Sequence, residues 1–523
     1  MTGLGGRHDV DVAIIGAGFS GALTALALRR LGRSVVIVER GRHPRFAIGE
    51  SSTPLANLLV EQLATEYDLP RIVPLSKWGS WRQAYPDLPV GLKRGFSFFH
   101  HTPGRPFEDG PDHARQLLVA ASPHDEVADT HWYRPALDAF LTAEAQSSGA
   151  VVLDQTRVDR VRFEGDRVSL DLTRDGAPAS VHAQFLVDAS GPRGALQQLI
   201  GVPERPMRWL PPTSGLYTHF EGVTRFADVV GEQPGAPYPV DDAALHHVFA
   251  GGWIWVLRFG HGITSAGAAL TEPLARALGA QRGEAAWRQL LDGLVSVQAQ
   301  FAHARPTLPF TYSPRIGYRA GRVVGDRWAM LPSAAGVIDP LLSTGIPLTL
   351  LGVRRLVRLL ERTWDGRGRA AALAEYASRT ERELDATERL VAALYASMGD
   401  FDLFKRLARL YFAAAGFSEA ARRLDRAELA PGFLLCDHPA FGPASRAIAD
   451  VALMRPTDRA RANLFDQIDR TVEPFDLAGL GDDSRRDWYP ARAEDLVAHS
   501  AKLQATDDQI RTLLARCGFA AAV

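Results

Sequence analysis

Cysteine is nearly missing from this chain: its 523 residues hold only Cys436 and Cys517. Two thiols so far apart form no metal-type spacing and no disulfide framework, and they fit a reducing cytosol. Lysine is almost as scarce. Of 59 basic residues only Lys77, Lys93, Lys405 and Lys502 are lysine, and the rest are arginine. Net charge is also lacking, at −1, so no bulk field draws the chain to nucleic acid or to an anionic membrane. No apolar run is long enough to span a bilayer. The N-terminus lacks the basic-then-apolar order of a secretory signal. These absences predict a cytoplasmic protein with no structural metal, no nucleic-acid partner and no integral membrane segment. The apolar stretch "IPLTLLGVRRLVRLLERT" carries Arg354, Arg355, Arg358 and Arg362, which predicts an amphipathic helix packed on a core.

What is present is the composition of a globular protein, 46% hydrophobic and 23% charged, with length for two or three domains. "DVDVAIIGAG" is a short apolar run ending in glycines, as a buried parallel strand does. "SGALTALALRRLG" has helical spacing, and "SVVIVER" is a second strand. Residues 41–130 are rich in Pro, Gly and aromatics, with much loop. Residues 134–149 predict a helix, 150–187 short strands, and 205–315 a mixture of strands and loops. From Gly345 onward the pattern is mainly helical. The spacing predicts an α/β fold, with a domain change near residue 360.

"GAGFSG" places Gly16, Gly18 and Gly21 as G-x-G-x-x-G between strand and helix. The first glycine makes the turn, the second admits a pyrophosphate, and the third lets helix and strand pack closely. Phe19 and Ser20 lie inside this turn, at a helix N-terminus that favours anions. Glu39, followed by Arg40, ends the next strand, where an acid binds ribose hydroxyls. This context predicts a dinucleotide site without separating FAD from NAD.

Two later segments separate them. "FLVDASGPRG" carries Asp188, Ser190 and Gly191, and "WAMLPSAAGVIDPLLSTGIPL" carries Asp339, Pro340, Ser343, Thr344, Gly345 and Ile346. With the N-terminal fingerprint they resemble the three segments of the FAD-dependent monooxygenase superfamily. Arg134 in "YRPALDAFL" sits where that superfamily commonly places a residue near the FAD phosphates. Within the superfamily, four segments resemble the flavin-dependent halogenases. "HPRFAIGESSTP" supplies Ile48 and the Gly49-Glu50-Ser51 triplet of a strap over the flavin. "GLKRGFSF" is similar to the strand bearing the catalytic lysine, in its phenol-halogenase form, which makes that lysine Lys93. "GGWIWVLRF" holds Trp253 and Trp255 of the Trp-x-Trp signature, and "DPLLSTGI" is similar to the halide segment.

The resemblance implies a Rossmann-type (GR2-like) FAD domain with an interleaved substrate sheet at about 205–315, together spanning 1–360. A helical region, 361–523, would cover the substrate. It implies FAD, used as FADH2, and chloride or bromide as co-substrate. The oxidant formed from reduced flavin and O2 would turn bound halide into hypohalous acid. Ser343, Thr344 and Gly345 would hold the halide, Lys93 would hand the electrophile to an aromatic substrate, and Trp253 and Trp255 would separate the flavin from it. Arginine cannot replace that lysine, because a guanidinium stays protonated whereas a buried amine can lose its proton. The substrate would be a phenol, pyrrole or indole, free or tethered to a carrier protein, and FADH2 would come from a separate flavin reductase.

The chain departs from the family pattern in places. The Trp signature ends Val256-Leu257-Arg258-Phe259 instead of x-Ile-Pro, the residue before Ser343 is Leu342 instead of Glu, and Pro332-Ser333 replaces a Gly-Asp pair. The last change implies exchangeable FAD. An aromatic hydroxylase of the same superfamily is the alternative function, and a flavoprotein without oxygen chemistry is a further one. Lys77 is the alternative catalytic lysine. His100 and His101 are either solvated loop residues or a general base for a phenol proton.

Overall fold

The computed structural model describes residues 7–110 and 112–519. A parallel sheet organises the N-terminal half. Strand β1 (Arg7–Ile15) ends in a buried apolar run, and β2 (Val35–Val38) is buried throughout, as strands covered on both faces must be. The strand order is β19 (Val324–Gly325), β20 (Trp328–Met330), β10 (Ala177–Asp188), β1, β2 and β7 (Val151–Leu153). All but the edge strand β19 run parallel. A meander of β8 (Thr156–Glu164) and β9 (Arg167–Arg174) pairs antiparallel onto β10. Helix α1 (Phe19–Arg30) joins β1 to β2 and packs beside α4 (Arg134–Ser147). This is the doubly wound arrangement that the glycine fingerprint predicts.

Residues 41–130 hold the expected loop, between short helices and strands. They contain α2 (Pro54–Glu66), α3 (Trp78–Ala84), β3 (Val90–Lys93), β4 (Gly95–His100), β5 (Gln116–Ala120) and β6 (Asp129–Trp132). Helix α2 starts on a Thr53 cap, whose side chain accepts from Ala56 N–H, with Pro54 in the first turn. The lysine segment is two strands rather than one. The Arg94 N–H leaves the ladder to bond Asp242 O, so β3 pairs with β6 while β4 joins a different sheet.

That second sheet runs β16 (Arg305–Pro306), β12 (Thr213–Glu221), β15 (Thr264–Thr271), β14 (Gly252–Arg258), β13 (Ala244–Phe249), β4, β5 and β22 (Trp488–Tyr489). Strand β17 (Thr311–Ser313) also pairs with β12. The sheet expected at about 205–315 therefore takes strands from 95–120 and one from the C-terminal region, with β4 parallel to β13. Short α5 (Ala195–Leu199) follows β10, and α6 (Phe226–Val230), α7 (Glu272–Leu278), α8 (Glu284–Asp292) and α9 (Val295–Gln300) cover one face of the second sheet. Phe99, Phe226, Trp287 and Phe301 fill the core between them. A small sheet of β11 (Glu204–Arg205), β18 (Tyr318–Ala320) and β21 (Gly336–Val337) bridges the two layers.

The chain then becomes helical: α10 (Pro332–Ala335), α11 (Gly345–Arg362), α12 (Arg369–Ala396), α13 (Phe401–Arg423), α14 (Phe441–Leu453) and α15 (Asp458–Val472). Helix α11 is the predicted amphipathic helix. Its apolar face is buried, and its arginines bridge neighbours: Arg354 and Arg358 to Glu66 of α2, Arg355 to Glu383 of α12. One continuous core takes in Ile14 of β1, Leu59 of α2, Leu356 of α11, Leu390 of α12 and Phe404 of α13. No described helix is long and apolar enough to cross a membrane.

Candidate active site

The three nucleotide segments meet at the C-terminal ends of β1, β2 and β10. Gly16 has φ +102°, and a Cβ there would stand 2.6 Å from Ala189 O; one on Gly21 would stand 2.0 Å from Gly16 O. Only glycine permits a turn this tight against the Asp188 loop. Helix α1 starts at Phe19, whose N–H donates to Asp138 Oδ1 at 3.2 Å, while the next N–H groups of its first turn lack intrahelical acceptors. Glu39 accepts from Ala17 N–H at 2.9 Å and Gly41 N–H at 2.7 Å. Burial pushes its pKa up, but those N–H groups and Arg45 hold it below the ordinary carboxylate value. Arg40 next to it is exposed. The Asp188 carboxylate serves its own loop, accepting from Ser190 N–H and Oγ–H and from Leu196 N–H. Burial raises its pKa against those bonds. Gly191 has φ +80° and open space where a Cβ would stand.

Arg134 ties the fingerprint to the strap. Its Nη1 donates to Ile48 O at 3.0 Å and Gly49 O at 3.1 Å, its Nε and Nη2 grip Asp138, and its guanidinium lies 4.9 Å over the Phe19 ring. Glu50 is buried and accepts from His219 Nε2 at 2.8 Å. Ser51 Oγ is buried with no partner. An FAD fits these residues. The glycine turn leaves room for pyrophosphate, an acid stands at the end of β2, and the strap presents an unpartnered hydroxyl.

Lys93 is fully buried at the end of β3, directly across the ladder from Asp129 of β6. Its Nζ donates to Ser52 O at 2.5 Å and stands 3.8 Å from the Phe96 ring centroid. Burial lowers the Lys93 pKa and raises that of Asp129, while the attraction between the two opposes both shifts. Lys77 lies at the start of α3, partly exposed, and is not part of this cluster.

From Lys93 a line of rings leads to the turn before α11. Phe96 stacks with His246 (5.8 Å), and His246 meets Trp253 (5.2 Å), which meets Trp255 (5.7 Å). Trp253 Nε1–H donates to Tyr395 OH at 3.0 Å, and Tyr395 donates to Asp339 Oδ2 at 2.8 Å. Asp339 Oδ1 accepts from Leu341 N–H, and burial raises this carboxylate to about 6. Leu342 (φ 64°) and Ser343 (φ 54°) both hold left-handed backbone, which costs energy in non-glycine residues. The turn delivers buried Thr344 and exposed Gly345 to the N-terminus of α11, with Ile346 buried behind and open space beside Gly345. Phe404, Tyr411 and Phe412 of α13 close the ring line from the helical side.

The two histidines after the lysine strand are not solvated loop residues. His100 is half-buried against Phe401 and Met398 O, and burial lowers its pKa. His101 Nε2 donates to His247 Nδ1 at 2.9 Å, and His247 Nε2 donates to Gln300 at 2.8 Å. Burial holds His101 well below its ordinary value and His247 at about 3. Sequence reasoning missed Asn57, Asp129, His219, His246 and Tyr395. Alternation in "THFE" and "LHHVF" marks strands, but nothing in those segments signals a shared site.

Residues 11–328 match the FAD dependent oxidoreductase (DAO) family. The chain belongs to that family. Its relatives place it among the flavin-dependent halogenases. It is 29% identical to monodechloroaminopyrrolnitrin halogenase PrnC of Pseudomonas fluorescens, over 91% of this chain and 88% of that one. It is 28% identical to tetracycline 7-halogenase of Kitasatospora aureofaciens, over 78% of this chain and 74% of the relative. Among solved structures it matches halogenase PltM in complex with phloroglucinol and FAD, with TM-score 0.83 and 27% identity over 91% of this chain and 99% of that chain. These halogenases share the expected α/β architecture, with the Rossmann-type FAD domain at its centre.

Proposed function

We propose that this flavin-dependent halogenase acts on an electron-rich aromatic through Lys93. The observation that carries the reading is the continuous line from buried Lys93 through Phe96, His246 and Trp253 to the turn opening α11. Reduced FAD with O2 supplies the oxidising equivalent that converts halide to hypohalous acid. Gly16, Gly18, Phe19, Ser20, Gly21, Glu39 and Arg40 would hold the nucleotide half. Ile48, Gly49, Glu50, Ser51 and Arg134 would form the strap, and the Asp188–Gly191 and Asp339–Ile346 turns would complete the cradle. Ser343, Thr344 and Gly345 suit a halide, because a helix N-terminus offers N–H donors and favourable potential for an anion. Trp253 and Trp255 would wall the flavin from the arene. The region 361–523 would cover the arene, with α13 rings as its floor.

Lys93 is suited to carry the electrophile. Burial favours its neutral amine, and the strap carbonyl of Ser52 orients its Nζ. FADH2 would come from a separate reductase, and the arene would arrive free or on a carrier protein.

The test supplies FADH2 from a flavin reductase, with bromide and a panel of phenols, pyrroles and indoles, and reads product mass. A brominated product is expected. Lys93→Met should lower its formation at least ~100-fold, since general acid–base and transfer groups typically contribute 10²–10⁴-fold, while FADH2 oxidation continues. A hydroxylated product, or bromination surviving in Lys93→Met, would overturn the reading.

A further inference from the structure

The environment of Lys93 points to a second working group. Strands β3 and β6 form a ladder of their own, with Lys93 directly opposite Asp129, so both side chains rise on one face. Neither reaches solvent to any extent: Lys93 is 0% exposed and Asp129 4%. Asp129 Oδ1 accepts from Asn57 Nδ2 at 2.8 Å, while its buried Oδ2 has no partner. The amine has three donor directions, and its hydrogen bond goes to Ser52 O. A buried acceptor without a donor thus shares one face of the ladder with a buried donor that has directions to spare, although the two are not in ion-pair contact. Leaving such groups unmatched is costly, the more so when they are charged.

We propose that Asp129 is the proton partner of Lys93, a positioning residue that decides whether the lysine is ammonium or amine. The exchange is balanced. An N–H bond of the ammonium breaks and an O–H bond forms at Asp129 Oδ2 once the lysine side chain turns from Ser52 O toward it, so two opposite charges become a neutral amine and a neutral carboxylic acid. Only the amine has a lone pair for an electrophilic halogen. The low-dielectric surroundings bring the two forms close in energy, because burial penalises the two charges. The remaining polar groups fit this exchange. His131 of β6 and His246 of β13 are both held near 3 by burial and by the Lys93 charge, so they stay neutral. Glu419 and Arg423 of α13 act on Asp129 with opposite signs, and Tyr411 of the same helix stays protonated. Asn57, through its donor to Oδ1, leaves Oδ2 as the oxygen that takes the proton.

The inference rests on the role given to Lys93 above, but its test does not need turnover. With four lysines in the chain, protein carrying ¹³C at lysine Cε shows a separable signal for each, and Lys93→Met identifies the one that matters. In the native protein the Lys93 signal should titrate at least one pH unit below the ordinary lysine value of ~10.4. In Asp129→Asn, which keeps shape and the Asn57 contact region, the midpoint should fall by at least a further unit, because the counter-charge is gone. FADH2 oxidation should continue in this variant, and the pH profile of product formation should shift to lower pH together with the Lys93 midpoint. A native Lys93 midpoint in the ordinary lysine range, near ~10.4, would overturn the proposal even if the variant did not fold. A low native midpoint that Asp129→Asn leaves unmoved would also overturn it, leaving burial as the sole cause. An enzyme that titrates as expected yet brominates nothing would sink the functional reading and keep the pair.

Discussion

A single buried imidazole shows how burial becomes a measurable property. His247 is locked neutral between His101 and Gln300, with its pKa depressed to about 3 by burial. A depressed pKa means the unfolded chain takes up the proton first, so this histidine supports folding above its unfolded pKa of ~6.5 and loses that support as pH falls toward 3. His247→Gln keeps a polar side chain at that site and removes the titration. Relative to the native protein, the variant should gain about 2 kcal/mol between pH 6.5 and 5, at ~1.4 kcal/mol per pH unit. Denaturation midpoints measured across that range give the comparison, and a pH-independent difference would contradict it. Lys93 ends β3 and His101 lies just past β4, eight residues on, and the two meet opposite fates. The first enters a cluster with Asp129 and the ring line, the second a core of Phe107 and Phe226. His100 ends β4 against Phe401, while the chain just past it places His101 beside His247, so the adjacent histidines have different surroundings.

At the scale of elements, the turn before α11 depends on a helix far along the chain. Tyr395 of α12 connects Trp253 of β14 to Asp339, and Asp339 in turn holds the Leu341 N–H of a turn with two left-handed residues. Tyr395→Phe leaves the Trp253 N–H unpaired and Asp339 Oδ2 with only the 3.5 Å bond from Thr213 Oγ1, at a cost of ~1–3 kcal/mol in stability. A turn released by ~1.4 kcal/mol would raise the apparent KM for bromide about tenfold, with FADH2 oxidation unchanged. Bromide titration at saturating arene measures this, and an unchanged KM would show that the turn holds its shape without the hydroxyl. Sequence motifs identified the turn and the tryptophan but not their link. Trp253 and Asp339 announce themselves by local pattern, whereas Tyr395 sits in an Ala/Leu-rich helix like any core tyrosine. The lysine strand shows the same limit. Its apolar spacing reads as one strand, and only the competing bond from Arg94 to Asp242 divides it between two sheets.

The whole molecule is tied together by a core that crosses the boundary expected near residue 360. Helix α11 buries one face on α1 and α2 of the nucleotide half and another on α12, and α13 packs on α2. A chain ending at residue 362 would expose the partners of Leu384, Leu390, Val391, Phe404 and Leu407, all buried in the intact core. Each large apolar side chain returned to water costs ~1.5–3 kcal/mol, and five together match the ~5–15 kcal/mol by which a typical protein is stable. Such a truncation should yield aggregated protein, while the full chain gives a monodisperse one. Soluble, FAD-binding protein from the truncated chain, seen by size exclusion with flavin absorbance, would refute this.

Local chemistry explains what the sequence determined by itself. A glycine turn and an acid ending a strand depend on a few neighbouring residues, so spacing along the chain predicted the nucleotide fold, while the resemblance to flavin-dependent halogenases singled out Gly49-Glu50-Ser51, the turn before α11 and Lys93 as candidates. The tertiary structure alone decided which groups face one another. Asp129, Asn57, His246 and Tyr395 reach the site from four elements, and burial, which sets the proton on Lys93 and Asp129, is a property of packing and not of any one segment.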